Sequence, residues 1–116
     1  MKSFIERIKN GERVSFSETM RIIHEHYIYR PVKFTNGLGD NKIVNDPGTN
    51  EGSCKIFALG KLLNLSQADT LTLFGELYFK EVLENPDGTD HPNIRNFMKD
   101  GWRGVTLYGE ALKPRG

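Results

Sequence analysis

The chain has 116 residues, 37% of them hydrophobic and 27% charged, with a formal net charge of +1 and a pI near 7.9. That balance excludes a disordered chain, and the length suits one domain that needs no disulfide or metal to fold. Near-neutral charge gives no drive toward nucleic acid, and no apolar run approaches the roughly 20 residues needed to span a bilayer. The lone cysteine, Cys54, cannot form an intrachain disulfide. This fits a reducing compartment or a secreted chain without disulfides. Residues 1–8 are too polar for a secretory signal peptide.

A first helix is expected over residues 1–9, with Phe4, Ile5 and Ile8 on one side and Asn10-Gly11 as its stop. It begins almost at Met1 and leaves little chain for an unstructured export signal. Ser15-Phe16-Ser17-Glu18 has the spacing of a capping box, with Ser15 as cap and Glu18 reaching back. The second helix should run to about Tyr27, with Phe16, Met20, Ile23 and Tyr27 as its apolar stripe. Pro31 ends it. Val32-Lys33-Phe34-Thr35 alternates as a strand does, Asn36-Gly37 marks a turn, and Ile43-Val44-Asn45 can return as its partner.

Helical spacing resumes over residues 53–63 through Ile56, Leu59 and Leu63, with Phe57 alongside. After a tight connection at Asn64-Leu65, Ser66 caps a long fourth helix carrying Leu71, Phe74, Tyr78 and Val82, expected to return antiparallel to the third. Gly60 and Gly75 fall inside these helices, where glycine costs up to ~1 kcal/mol relative to alanine. Close helix–helix approach, rather than a kink, is the expected reason. Pro92 opens a fifth helix with Ile94, Phe97 and Met98 on its buried side and Gly101 as its stop. Val105-Thr106-Leu107-Tyr108 reads as a strand, Ala111-Leu112 as its return, and residues 113–116 as a fraying tail. Together these elements make a monomeric α+β domain, mostly helical, with about five helices and a small antiparallel sheet or hairpins.

Two loops share one layout, and each leads into a helix. The first is Asp46-Pro47-Gly48-Thr49-Asn50-Glu51-Gly52-Ser53-Cys54-Lys55; the second is Asn85-Pro86-Asp87-Gly88-Thr89-Asp90-His91-Pro92-Asn93. Helix starts carry unpaired N–H groups and a partial positive charge, so they suit anions and thiolates. If the loops meet, Thr49, Asn50, Glu51, Ser53 and Lys55 would face Asp87, Thr89, Asp90, His91 and Arg95 around a small ligand. Lys55 and Arg95, at equivalent places, could flank a phosphate or carboxylate; ordinary surface charge is the plainer role. The third and fourth helices, running antiparallel, should bring the loops to the same end of the molecule.

The helix start would also lower the pKa of Cys54, with Lys55 adding positive charge, and His91 could then serve as its base, oriented by Asp87 or Asp90. A small buried core residue is the more ordinary role for a lone cysteine, and a structural hydrogen bond for His91. His24 and His26 are two apart on a helix and cannot form a metal pair. Nor does the spacing of His26, His91 and Cys54 support zinc, so no metal and no cofactor is indicated. Trp102-Arg103 could be an exposed anchor for a partner protein, although a tryptophan between Gly101 and Gly104 more commonly plugs a core edge.

Several runs resemble the HopJ type III effector family. These are Gly48-Thr49-Asn50-Glu51-Gly52-Ser53-Cys54-Lys55-Ile56-Phe57, Leu71-Thr72-Leu73-Phe74-Gly75-Glu76, the segment from Pro86 through Met98, and Gly101-Trp102-Arg103-Gly104-Val105. The resemblance extends from Phe16 to about Leu112. It implies a bacterial, cytoplasmic protein with a route to secretion by a type III system, and it supplies no established catalytic mechanism. Binding of a small ligand or protein through the two Gly-Thr loops is therefore read first. The alternatives are a cysteine-dependent enzyme using Cys54 and His91, and an interaction-only effector working through a surface around Trp102.

Overall fold

The computed structural model describes all 116 residues. Helix α1, Lys2–Lys9, docks through buried Phe4 and Ile8. Helix α2, Phe16–His26, starts as the capping box requires, with Glu18 N–H donating to Ser15 Oγ at 3.0 Å. The reciprocal half of the box is not made. The Glu18 carboxylate instead accepts from Arg7 at 2.9 Å and ties α2 to α1, while Glu76 Oε1 accepts from Phe16 N–H at 2.9 Å. The helix ends at His26, as expected to within a residue, and strand β1, Tyr27–Tyr29, follows it directly and pairs antiparallel with β5, Leu112–Pro114. The tail expected to fray is thus held to Pro114, and Arg115 donates to the carbonyls of His26 and His24 at 3.0 Å.

Strands β2, Phe34–Asn36, β3, Ile43–Asn45, and β4, Val105–Leu107, form an antiparallel sheet in the order β3-β2-β4. Helix α3, Glu51–Leu62, is central, and residues 56–60 are buried without interruption. Such all-round burial belongs to a helix inside the core rather than on its surface. Phe57 is its hub, with ring centroids 5.9 Å from Phe34, 5.8 Å from Phe74, 4.9 Å from Phe97 and 6.2 Å from Trp102. Trp102 closes one edge of this cluster, its indole N–H donating to Leu65 O at 2.9 Å. Half-buried and engaged in this way, it plugs the core edge and is not a free anchor. A Cβ on Gly60 would lie 2.7 Å from that ring, so close approach does explain this glycine.

The long fourth helix is corrected. The segment is two pieces, α4, Gln67–Thr72, capped by Ser66 Oγ accepting from Asp69 N–H at 3.0 Å, and a π-helical segment, Leu77–Val82. The break falls at Gly75, whose φ of +60° strains any residue bearing a Cβ. A Cβ there would also lie 2.5 Å from Phe16 N, so the kink admits the start of α2. Helix α5, Pro92–Asp100, starts on its proline and stops at Gly101, φ +61°.

Candidate functional site

The two Gly-Thr loops converge. Asn50, Gly52 and Ser53 from the first, and His91, Pro92, Asn93 and Ile94 from the second, line one cavity of about 170 Å³ whose apolar wall includes Phe16, Phe74 and Leu77. The reason lies at the two helix starts. Asn50 (φ 50°, ψ 48°) and His91 (φ 49°, ψ 53°) both adopt the left-handed conformation as N-caps of α3 and α5, and neither side chain caps its helix. An N-cap normally has extended backbone, which lets its side chain turn back onto the first turn. Here that route is lost. The N–H groups of Glu51, Gly52 and Ser53 on α3, and of Asn93 and Ile94 on α5, carry no hydrogen bond; the first bonded ones are Cys54 N–H to Asn50 O and Arg95 N–H to His91 O, each 3.1 Å. Four of those five free donors belong to residues that line the cavity.

A buried cluster of amides holds the two starts together. Asn45 Oδ1 accepts from Asn50 Nδ2 at 2.7 Å and from Asn93 Nδ2 at 2.9 Å. Asn45 Nδ2 donates to Phe34 O and to Asn93 Oδ1, both at 3.3 Å. Asn36 Nδ2 donates to Asn93 O at 2.7 Å and to Asn93 Oδ1 at 3.1 Å. Asn36, Asn45 and Asn93 are 0%, 1% and 3% exposed. At such burial each lost partner is costly, so the network fixes the β2–β3 hairpin, α3 and α5 in one geometry. Asn36 Oδ1 is the one buried side-chain oxygen of the cluster left without a partner.

His91 has a second attachment. Its Nε2 lies 2.7 Å from Glu81 Oε1, on the π-helical segment, and 3.9 Å from Asp90 Oδ2. Glu81 thus takes the orienting place expected of Asp87 or Asp90. Asp87 and Thr89 are exposed and stand away from the cavity, as does Thr49, whose hydroxyl donates to Asp46 O at 2.7 Å. Arg95 does not reach the cavity either. Its guanidinium clamps its own loop, donating to Asp90 O and Asp90 Oδ1 at 2.6 Å and to Asn85 O at 2.9 Å. That guanidinium holds the Asp90 carboxyl below the ordinary carboxylate range. Lys55 lies over the Tyr29 ring, Nζ 4.7 Å from its centroid. Neither cation flanks the cavity.

The expectation of a depressed thiol pKa is corrected as well. Cys54 is 1% exposed, and its thiol donates to Val32 O at 3.8 Å. Burial pushes the thiol pKa up, outweighing the Val32 contact and the charge of Lys55. Cys54 faces the core and does not line the cavity that His91 lines. Asn36, Asn45 and Asn93 were not expected at the site: the sequence places them in a turn, at a strand end and at the end of the second loop, where asparagine is ordinary.

An α+β fold with two open helix starts meeting at a small cavity defines the architecture. The chain matches the family model described as HopJ type III effector protein over residues 1–112, and it belongs to that family. The solved crystal structure of VPA0580, described as a protein of unknown function, is similar at 40% identity and a TM-score of 0.93; the match covers 99% of this chain and 93% of that one. No curated protein matches. No helix is long and apolar enough to cross a membrane.

Proposed function

We propose that this chain is a binding module whose ligand is a small anion, a phosphate or carboxylate with a short apolar portion, received in the cavity between the two Gly-Thr loops. One observation carries the reading: two helix starts open into the same cavity with their first-turn N–H groups unpaired. An anion there meets several oriented donors and the positive ends of two helix dipoles. Phe16, Phe74 and Leu77 suit the apolar portion. The one thiol supplies no nucleophile to the cavity, because Cys54 is buried and does not line it. The family name supports export by a type III route, with the ligand or its bearer met at the destination.

Calorimetric titration with inorganic phosphate and with acetate tests the reading. Saturable binding of at least one of them, abolished by Ser53→Phe, which fills the cavity, is expected. No saturable binding of either anion, or binding unchanged in Ser53→Phe, overturns it.

A further inference from the structure

The side chains of Glu81, Asp90 and His91 form a cluster beside the cavity that the anion reading does not use. One donor atom from each lies within 4.8 Å of the other two. They come from two pieces of chain: Glu81 from the π-helical segment, and the adjacent Asp90 and His91 from the second loop where it enters α5. We propose that this cluster is a binding site for one divalent transition-metal ion of the zinc type, with His91 Nε2, a Glu81 oxygen and Asp90 Oδ2 as its ligands. The proposal does not rest on the anion reading.

The geometry is close to what such an ion needs. Two donors each about 2.1 Å from one tetrahedral ion lie about 3.4 Å apart. His91 Nε2 brackets that spacing, at 2.7 Å to Glu81 and 3.9 Å to Asp90. Glu81 and Asp90 are roughly half exposed, so their rotamers can close the remaining gap. One imidazole and two carboxylates suit zinc, cobalt or manganese; magnesium and calcium prefer oxygen donors throughout. Three protein ligands leave an open position, the pattern of a reactive rather than a purely structural site.

Two further features fit. Arg95 Nη2 holds Asp90 Oδ1 at 2.6 Å, which leaves Oδ2 on the histidine side and orients it as an outer-shell partner does. Two carboxylates face one guanidinium here, so the formal charge of these three side chains is −1 and favours a cation. Glu81 also sits in a π-helical segment, a rare conformation concentrated at functional sites. An ion here would stand beside the cavity that His91 also lines.

The test uses untagged full-length protein freed of metal, titrated with Zn2+ alone and, separately, with Co2+ followed by visible absorption. One equivalent of Zn2+ per chain should bind with a Kd below about 100 µM. His91→Ala and Glu81→Gln should each weaken binding at least about tenfold, as the loss even of an outer-shell partner does. Glu81→Gln is nearly isosteric on a half-exposed side chain, so it separates loss of a ligand from loss of the fold. The double variant His24→Ala/His26→Ala should bind as the parent does. Absence of saturable binding to about 100 µM, or binding that survives both His91→Ala and Glu81→Gln, would overturn the proposal.

Discussion

Four helices of this chain begin in two different ways. Helices α2 and α4 are closed at their starts: Ser15 and Ser66, with extended backbone, accept from the N–H groups of Glu18 and Asp69 at 3.0 Å. Glu76 takes the Phe16 N–H as well. Helices α3 and α5 are open, their N-caps Asn50 and His91 left-handed and their side chains turned elsewhere. The closed starts stand apart, each at its own turn. The open starts share one cavity and are tied to each other through Asn45 and Asn93. Two of the helices are capped by the ordinary means, and α3 and α5 leave their first-turn donors free where they meet; α1 also lacks a side-chain cap, away from the cavity. The starts of α3 and α5 thus differ from those of α2 and α4 in both cap conformation and surroundings.

Substitutions break or sharpen this contrast by different amounts. Asn45→Ala should have the largest effect, about 2–4 kcal/mol of lost stability, because it strips partners from the buried amide of Asn93 and from Asn50. Denaturant unfolding reads it, and a loss under 1 kcal/mol would show that the amide cluster does not hold the two starts. Next, Cys54 should react with iodoacetamide at least about tenfold more slowly than free cysteine at pH 7, because its thiol is buried and its pKa raised. A rate at or above that of free cysteine would restore the open helix start as an activator of this thiol.

Ser66→Ala should cost about 1 kcal/mol, the ordinary worth of a side-chain cap. His91→Gly should cost less than about 0.5 kcal/mol, since it caps nothing and glycine tolerates its left-handed backbone. Equal costs at the two positions would erase the distinction between closed and open starts. The smallest effect concerns acid. The folded pKa of Asp90 is lowered, chiefly by its hydrogen bond to Arg95. Its contribution is therefore present above the ordinary value of 3.8 and is lost as pH falls below it, through the folded value. Asp90→Asn should remove this contribution across the neutral range and flatten the acid limb of the stability profile, the two proteins converging at low pH. A steeper acid limb in the variant would contradict the sign.

Local signals were legible and long-range ones were not. Ser15, Ser66, Pro92 and Gly101 act within a turn of their own position, and each does what its neighbours imply. The pairing of β1 with β5 joins residues more than eighty apart, and no local pattern marks it. Gly75 illustrates the middle case. The apolar register of Leu71, Phe74, Tyr78 and Val82 runs across it as if the helix were continuous, yet the backbone of Phe16 approaches too closely for one. The convergence of the two loops was expected from two antiparallel helices. It arises from a shorter, broken fourth segment and from amides on β2 and β3 that no loop motif announces. Lys55 and Arg95 show the opposite failure, a matching place in two similar loops with unrelated contacts.

The central claim is that the two open helix starts form one anion site. Backbone amide NMR during titration with inorganic phosphate tests it most directly, because the claim names the donors. The N–H resonances of Gly52, Ser53, Asn93 and Ile94 should shift together along one saturation curve, while those of Glu18 and Asp69, at the closed starts, stay in place. Shifts confined to one of the two loops, or no shift at any of the four, would contradict the account.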